Sequence, residues 1–138
     1  MLRIHHEDTK ARRFDDEMES LETAIVDAAF RVHSTLGPGL LEGVYETCLV
    51  HELKQHGLEF QTQVHLPIDY HGCKLDAGLR LDVLVAGKIV IEIKAVETLL
   101  PVHKAQLLTY LKLSGHALGF LINFNVATFK EGIRRIVL

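Results

Sequence analysis

The sequence is poor in cysteine, in long apolar runs and in positive charge. Its 138 residues include two cysteines, Cys48 and Cys73, with no CxxC spacing. Two thiols are too few for a disulfide framework, so the expectation is a reduced, cytoplasmic protein. The longest uninterrupted apolar run, Ala117 to Ile122 with Gly119 inside it, is far shorter than the roughly 20 residues of a membrane helix. The opening Met1-Leu2-Arg3-Ile4-His5-His6 lacks the apolar core of a secretion signal. No membrane association is expected. Lys and Arg number 15 against 18 Asp and Glu, a net charge of −3. That balance excludes a uniformly basic nucleic-acid binder and leaves room for a local basic patch. What the chain does have is apolar content, 48% of residues. This argues against disorder, and the length suits one domain with its own core.

Residues 1–19 read as a polar lead-in, a frayed start or short arm, and residues 20–138 as a single domain. From about Met18 to Leu36, Leu21, Ala24, Ile25, Ala28 and Val32 form one helical stripe, with Ser20 as a plausible N-cap. Gly37-Pro38-Gly39 stops that helix. A second helix is expected over about Leu40 to His56, ended by Gly57. The period then changes to two. A strand is expected from Glu59 to Tyr70, a turn at His71-Gly72, and a second strand from Cys73 to Val85 with a bulge or bend at Gly78. Gly87 leads into a third strand, Lys88 to Val96. Its apolar runs, and those of the second strand's end, indicate cover on both faces. A helix from Val102 to Ser114, opened by Pro101 and closed by Gly115, precedes a buried strand, Ala117 to Phe124. Gly132 to Leu138 is a short strand or tail. The layout is α/β (α+β), a mixed central sheet flanked by helices.

The informative residues are the charges that interrupt these apolar runs. Asp82 lies within Leu81-Asp82-Val83-Leu84-Val85, and Glu92 and Lys94 within Ile91-Glu92-Ile93-Lys94-Ala95. Charged side chains are rarely buried unless paired or metal-bound. Alternation puts Glu92 and Lys94 on one face. Asp82 and Glu92 are each five residues from Gly87. An odd connection centred there sets them face to face, with Cβ atoms roughly 4.5–5.5 Å apart. An even loop without a bulge would instead turn Asp82 away. Two carboxylates so close repel each other unless a cation lies between them. Mg²⁺ or Mn²⁺, which prefer oxygen ligands, would suit them, with Lys94 placed to orient water or neutralise a phosphate. The plain alternative is a structural ion pair, with Lys94 bonded to Glu92 and Glu42 remote from both.

Asp82-x9-Glu92-x-Lys94 between a leading and a following helix resembles the PD-(D/E)XK nuclease superfamily, whose core is αβββαβ; here an extra helix would precede it. The sequence is also similar to the GxxExxY family within that superfamily. The defining motif reads Gly39-Leu40-Leu41-Glu42-Gly43-Val44-Tyr45. Further similar segments are Leu36-Gly37-Pro38-Gly39, Gly78 to Val85, Ile91 to Ala95, His103 to Leu111 and Gly119 to Phe124. The resemblance spans about residues 20 to 138, with Leu81 standing where the superfamily name has proline. It implies Glu42, Asp82 and Glu92 as metal-binding carboxylates and Lys94 as the catalytic lysine. It also implies Gln106 and Tyr110 as a polar pair at the reacting group.

Arg80 and Tyr45 are further substrate-binding candidates. Arg80 is two residues before Asp82, on the same face of the strand. Tyr45 is three residues after Glu42 on a helix, and a core tyrosine with a bonded hydroxyl is its equal alternative. His33 and His103 read as structural histidines. His51 and His56 are five apart and would not converge on zinc. Arg134-Arg135 and Arg12-Arg13 read as solvated surface. The functional expectation is a Mg²⁺- or Mn²⁺-dependent nuclease-like hydrolase acting on DNA or RNA. The alternative is a non-cleaving nuclease-fold binding or regulatory module. A homodimer would extend the small substrate surface of so short a chain.

Overall fold

In the computed structural model, the backbone is described for residues 2–138 and side chains from Thr9 onward. The order is α1 (Leu2–Leu36), α2 (Glu42–Gln55), β1 (Phe60–His65), β2 (Ile68–Tyr70), β3 (Cys73–Leu75), β4 (Arg80–Val85), β5 (Ile89–Lys94), α3 (Pro101–Ser114), β6 (Leu118–Asn123), α4 (Phe129–Gly132) and β7 (Ile133–Val137). Five strands form one mixed sheet in the order β1-β4-β5-β6-β7. Only β5 and β6 run parallel, with α3 as their crossover; the other pairs are antiparallel. This is the expected α/β architecture.

Both sheet faces are covered, as the continuous apolar strands require. Ile89, Ile91 and Ile93 pack with Val83 and Val85 against Ile25, Ala28 and Val32 of α1 and Leu49 and Leu53 of α2. Val90, Leu84 and Leu121 pack against Leu107 and Leu111 of α3 on the other face. Gly119 allows that close approach. A Cβ there would sit 3.1 Å from Val90 O and 3.1 Å from Leu107 Cδ1.

Three expectations are corrected. First, α1 starts at Leu2 rather than near Met18, so Ser20 is helix interior and not an N-cap. Glycine and proline are absent before Gly37, so nothing in the chain breaks the helix earlier. Lys88, in the β4–β5 turn, lies 3.9 Å from Glu17 and over the Phe14 ring at 5.6 Å, which anchors the polar part of α1. The expected frayed start is thus helical in its described part; Met1 and the side chains of residues 1–8 lie outside the described residues. Second, the long strand over Glu59–Tyr70 is two strands. Pro67, which has no N–H to donate, separates β1 from β2. Third, Cys73–Val85 is broken between Leu75 and Arg80. There Gly78, at φ +76°, donates its N–H to Asp76 Oδ1 at 2.9 Å, which makes the bend expected at that glycine. β2 and β3 form a separate hairpin turned by His71 and Gly72, both at positive φ.

The β4–β5 connection has three residues, Ala86, Gly87 and Lys88, since Val85 pairs with Ile89. Lys88 N–H donates to Val85 O at 2.9 Å, and Ala86 and Gly87 take φ of +53° and +64°. These are the positive φ values of a type I′ turn. The connection is odd and centred on Gly87, as the facing of Asp82 and Glu92 requires.

Candidate active site

The β4–β5 ladder runs through Val85–Ile89, Leu84–Val90 and Val83–Ile91. The next step of the register sets Asp82 opposite Glu92, and there side chains replace the backbone pairing. Asp82 N–H donates to Glu92 Oε1 at 3.2 Å, and Ile93 N–H donates to Asp82 Oδ2 at 2.8 Å. Strand β4 also loses its alternation here. Leu81 and Leu84 belong to the same α3-side cluster, although regular alternation would put them on opposite faces. The sheet therefore splays at the carboxylate pair, which opens the pair to groups from both helical layers.

Those groups are the ones expected from the sequence. Glu42, in the first turn of α2, is close enough that the charges of Asp82 and Lys94 both act on it. Lys94 ends β5 and acts on Glu42, Asp82 and Glu92 together. From the opposite layer, Gln106 Nε2 donates to Tyr110 Oη at 3.2 Å across one turn of α3, and the Glu92 and Asp82 charges reach that hydroxyl. Glu42, Asp82, Glu92, Lys94, Gln106 and Tyr110 thus face one locus. Among the described residues Lys94 forms no ion pair with Glu92, and Glu42 is not remote. The structural ion-pair cluster is not what forms.

The electrostatics follow from burial. Glu92 is 3% exposed. Removal from water, and then the Asp82 charge, push its carboxyl up to about 8. Asp82, half-buried, is also raised by removal from water; the Ile93 N–H and Lys94 pull the other way. Glu42 is raised by partial burial and by Asp82. The Tyr110 hydroxyl is raised by burial and then by Glu92, so it remains a proton donor.

Two carboxylates facing each other, Glu92 buried and Asp82 half-buried, are a donor set that a hard divalent cation fits, because the cation relieves both desolvation and mutual repulsion. Among the described residues, no three His, Cys, Asp or Glu side chains gather as a metal-ligand cluster. Asp82 and Glu92 are thus two facing carboxylates, with Glu42 standing off within electrostatic reach rather than joining them in one cluster.

Of the two further substrate-binding candidates, Tyr45 takes its alternative, a core tyrosine with a bonded hydroxyl, and Arg80 lies at the margin. Tyr45 is fully buried and stacks on Phe124 at 4.8 Å. Its hydroxyl donates to Gly37 O at 2.6 Å and accepts Leu40 N–H at 3.1 Å. It holds the loop that delivers Glu42 and does not touch substrate, because no part of it meets solvent. Arg80 is exposed at the site margin, where its guanidinium donates to His65 Nδ1 and, at 3.4 Å, to Leu79 O. The break in alternation at Asp82 removes the simple shared face assumed for the two residues.

His33 is buried with Nε2 at 2.7 Å from Val126 O, and His103 Nδ1 accepts the Leu100 N–H at 2.9 Å at the start of α3. Both are structural, as read. His56 bonds Asp27 and Glu52 O rather than His51. Arg135 is ion-paired to Glu22. A cavity of about 750 Å³ is lined by Lys54, Glu59, Gln61 and Gly87 among others and includes none of the site residues.

Three contributors were not read from the sequence. Asn123, 1% exposed, accepts Val96 N–H at 3.0 Å and donates to Val96 O at 2.9 Å, fixing the chain just beyond Lys94. Asn125 accepts Gly39 N–H at 3.0 Å and donates to Val96 O at 3.3 Å, tying the Glu42 loop to the same point. A polar residue interrupting the apolar run Leu118–Phe124 was the available signal for Asn123. Gln63 takes φ +50° in the middle of β1; no sequence signal marks it.

No significant match was found among curated proteins or among solved structures. No described helix is long and apolar enough to cross a membrane. Compared with known protein families, residues 19–136 match the PD-(D/E)XK nuclease superfamily. That match includes every residue of the carboxylate–lysine locus and most of the mixed sheet that displays it, and the chain belongs to the PD-(D/E)XK nuclease superfamily.

Proposed function

We propose that this protein hydrolyses phosphodiester bonds of DNA or RNA with Mg²⁺ or Mn²⁺, as a member of the GxxExxY type within its superfamily. The observation that carries the reading is the facing of Asp82 and Glu92 at a splayed sheet position, beside Lys94 and across from Gln106 and Tyr110. Asp82 and Glu92 would hold the cation directly, and Glu42 through water. A bound divalent ion supplies a nucleophile at neutral pH and offsets charge developing on phosphorus. The Lys94 ammonium orients the attacking water and neutralises a non-bridging phosphate oxygen. Tyr110, kept protonated, and Gln106 donate to phosphate oxygens from the α3 side. Arg80 lies where it can meet a flanking phosphate.

The experiment is incubation of the purified protein with single-stranded and duplex DNA and RNA in Mg²⁺ or Mn²⁺. Cleavage that Glu92→Ala and Lys94→Ala abolish supports the reading; cleavage that survives both rejects it. One observation favours a second reading, a non-cleaving binding module: both carboxylates already accept backbone N–H groups and so close the ladder end. Absence of both cation binding and cleavage of any substrate would favour that module.

A further inference from the structure

We propose that Gln63 is a positioning residue for Asp82: its amide, carried on a left-handed residue within β1, ties Asp82 on β4 to Glu46 on α2. Thr62 pairs with Val83 and Val64 with Leu81, so Gln63 falls opposite Asp82 in the register. At that point the backbone takes φ +50°, a region non-glycine residues seldom occupy and rarely within a strand. Gln63 Nε2 donates to Glu46 Oε1 at 2.7 Å, and its side chain is near enough to Asp82 to act on that carboxyl, lowering its pKa. A neutral amide can donate one proton to each of two carboxylates, where a lysine would compete for the cation and a carboxylate would repel both. Glu46 lies one turn beyond Glu42 on the same face of α2. The bridge therefore sets the spacing between the helix that carries Glu42 and the strand that carries Asp82.

This inference rests on the reading that Asp82 and Glu92 hold a divalent cation. The test is calorimetric titration of wild type and Gln63→Gly with Mn²⁺ alone, alongside urea denaturation. Glycine adopts positive φ without strain, so the variant retains the fold. Expected are Mn²⁺ binding weaker by about tenfold, the scale of losing an outer partner of a metal ligand, and an unchanged urea midpoint. The double variant Gln63→Gly/Glu46→Ala should bind no more weakly than Gln63→Gly alone, because both changes break one bridge. Equal Mn²⁺ affinity in wild type and Gln63→Gly overturns the role of Gln63, whatever happens to the midpoint. Failure of the wild type to bind Mn²⁺ overturns the cation-site reading and this inference with it. If Gln63→Gly does not fold, Gln63→Asn, which tolerates positive φ but falls short of Glu46, is judged by the same criteria.

Discussion

Glu92 should destabilise the cation-free protein at alkaline pH, and Glu92→Gln should relieve it. In the folded chain removal from water and the facing Asp82 push the carboxyl up to about 8, against an ordinary 4.5. Between those values the folded state holds a proton that the unfolded state has released. Wild-type stability from this residue is therefore fully present below about 4.5 and is lost as pH rises towards 8. At about 1.4 kcal/mol per pH unit, the full span sets a ceiling of about 5 kcal/mol. Local opening to water relieves part of this, so about 2–3 kcal/mol is the expected penalty. Glutamine keeps the acceptor for Asp82 N–H and offers an N–H to the Asp82 carboxylate, and it never ionises. Urea denaturation in chelator at pH 5, 7 and 9 measures the difference between the two proteins. We expect near equality at pH 5 and Glu92→Gln more stable by about 2–3 kcal/mol at pH 9. A difference that stays flat from pH 5 to 9, or a less stable Glu92→Gln at pH 9, would refute the reasoning.

Other outcomes follow from the same contacts. Tyr45→Phe loses hydrogen bonds to Gly37 O and Leu40 N; denaturation should show a cost of about 1–2 kcal/mol. Its cleavage kcat should fall with KM unchanged, because the residue holds the Glu42 loop and does not touch substrate. Gly132→Ala would bring a Cβ within 2.0 Å of Asn123 O, so β7 must shift, and thermal unfolding should show a loss of at least about 1–3 kcal/mol. Lys94→Met should abolish cleavage while Mn²⁺ still binds by calorimetry, which separates its chemistry from that of the carboxylates.

Much of the sheet was legible because its signals are local. The apolar runs around Gly87 called for a doubly covered pair of strands, and the equal spacing of Asp82 and Glu92 from that glycine lets them face across an odd connection, or across an even one with a bulge. The three-residue turn is the odd one. Gly37 and Gly115 stop their helices at positive φ as their positions suggested. What was not legible depends on contacts distant in sequence. The early part of α1 is held by Lys88, some seventy residues away. Gln63 carries no signal because a period-two reading assumes an unbroken ladder, and its place opposite Asp82 and its bond to Glu46 come from distant elements. Tyr45 shares a helix face with Glu42, which suggested substrate contact. That face turns inward three residues later, where Tyr45 stacks on Phe124. Spacing along a helix states which residues are neighbours and leaves open which of them meets solvent.

The central claim is that Asp82 and Glu92 hold a divalent cation for phosphodiester hydrolysis. Its most direct test is the cleavage rate of single-stranded and duplex nucleic acid as a function of Mn²⁺ concentration, for wild type and Glu92→Ala. The account predicts saturable, chelator-sensitive cleavage by the wild type and at least a hundredfold loss, roughly the scale of removing a catalytic group, in the variant. Equal rates in the two proteins, or no Mn²⁺-dependent cleavage of any substrate by the wild type, would contradict it.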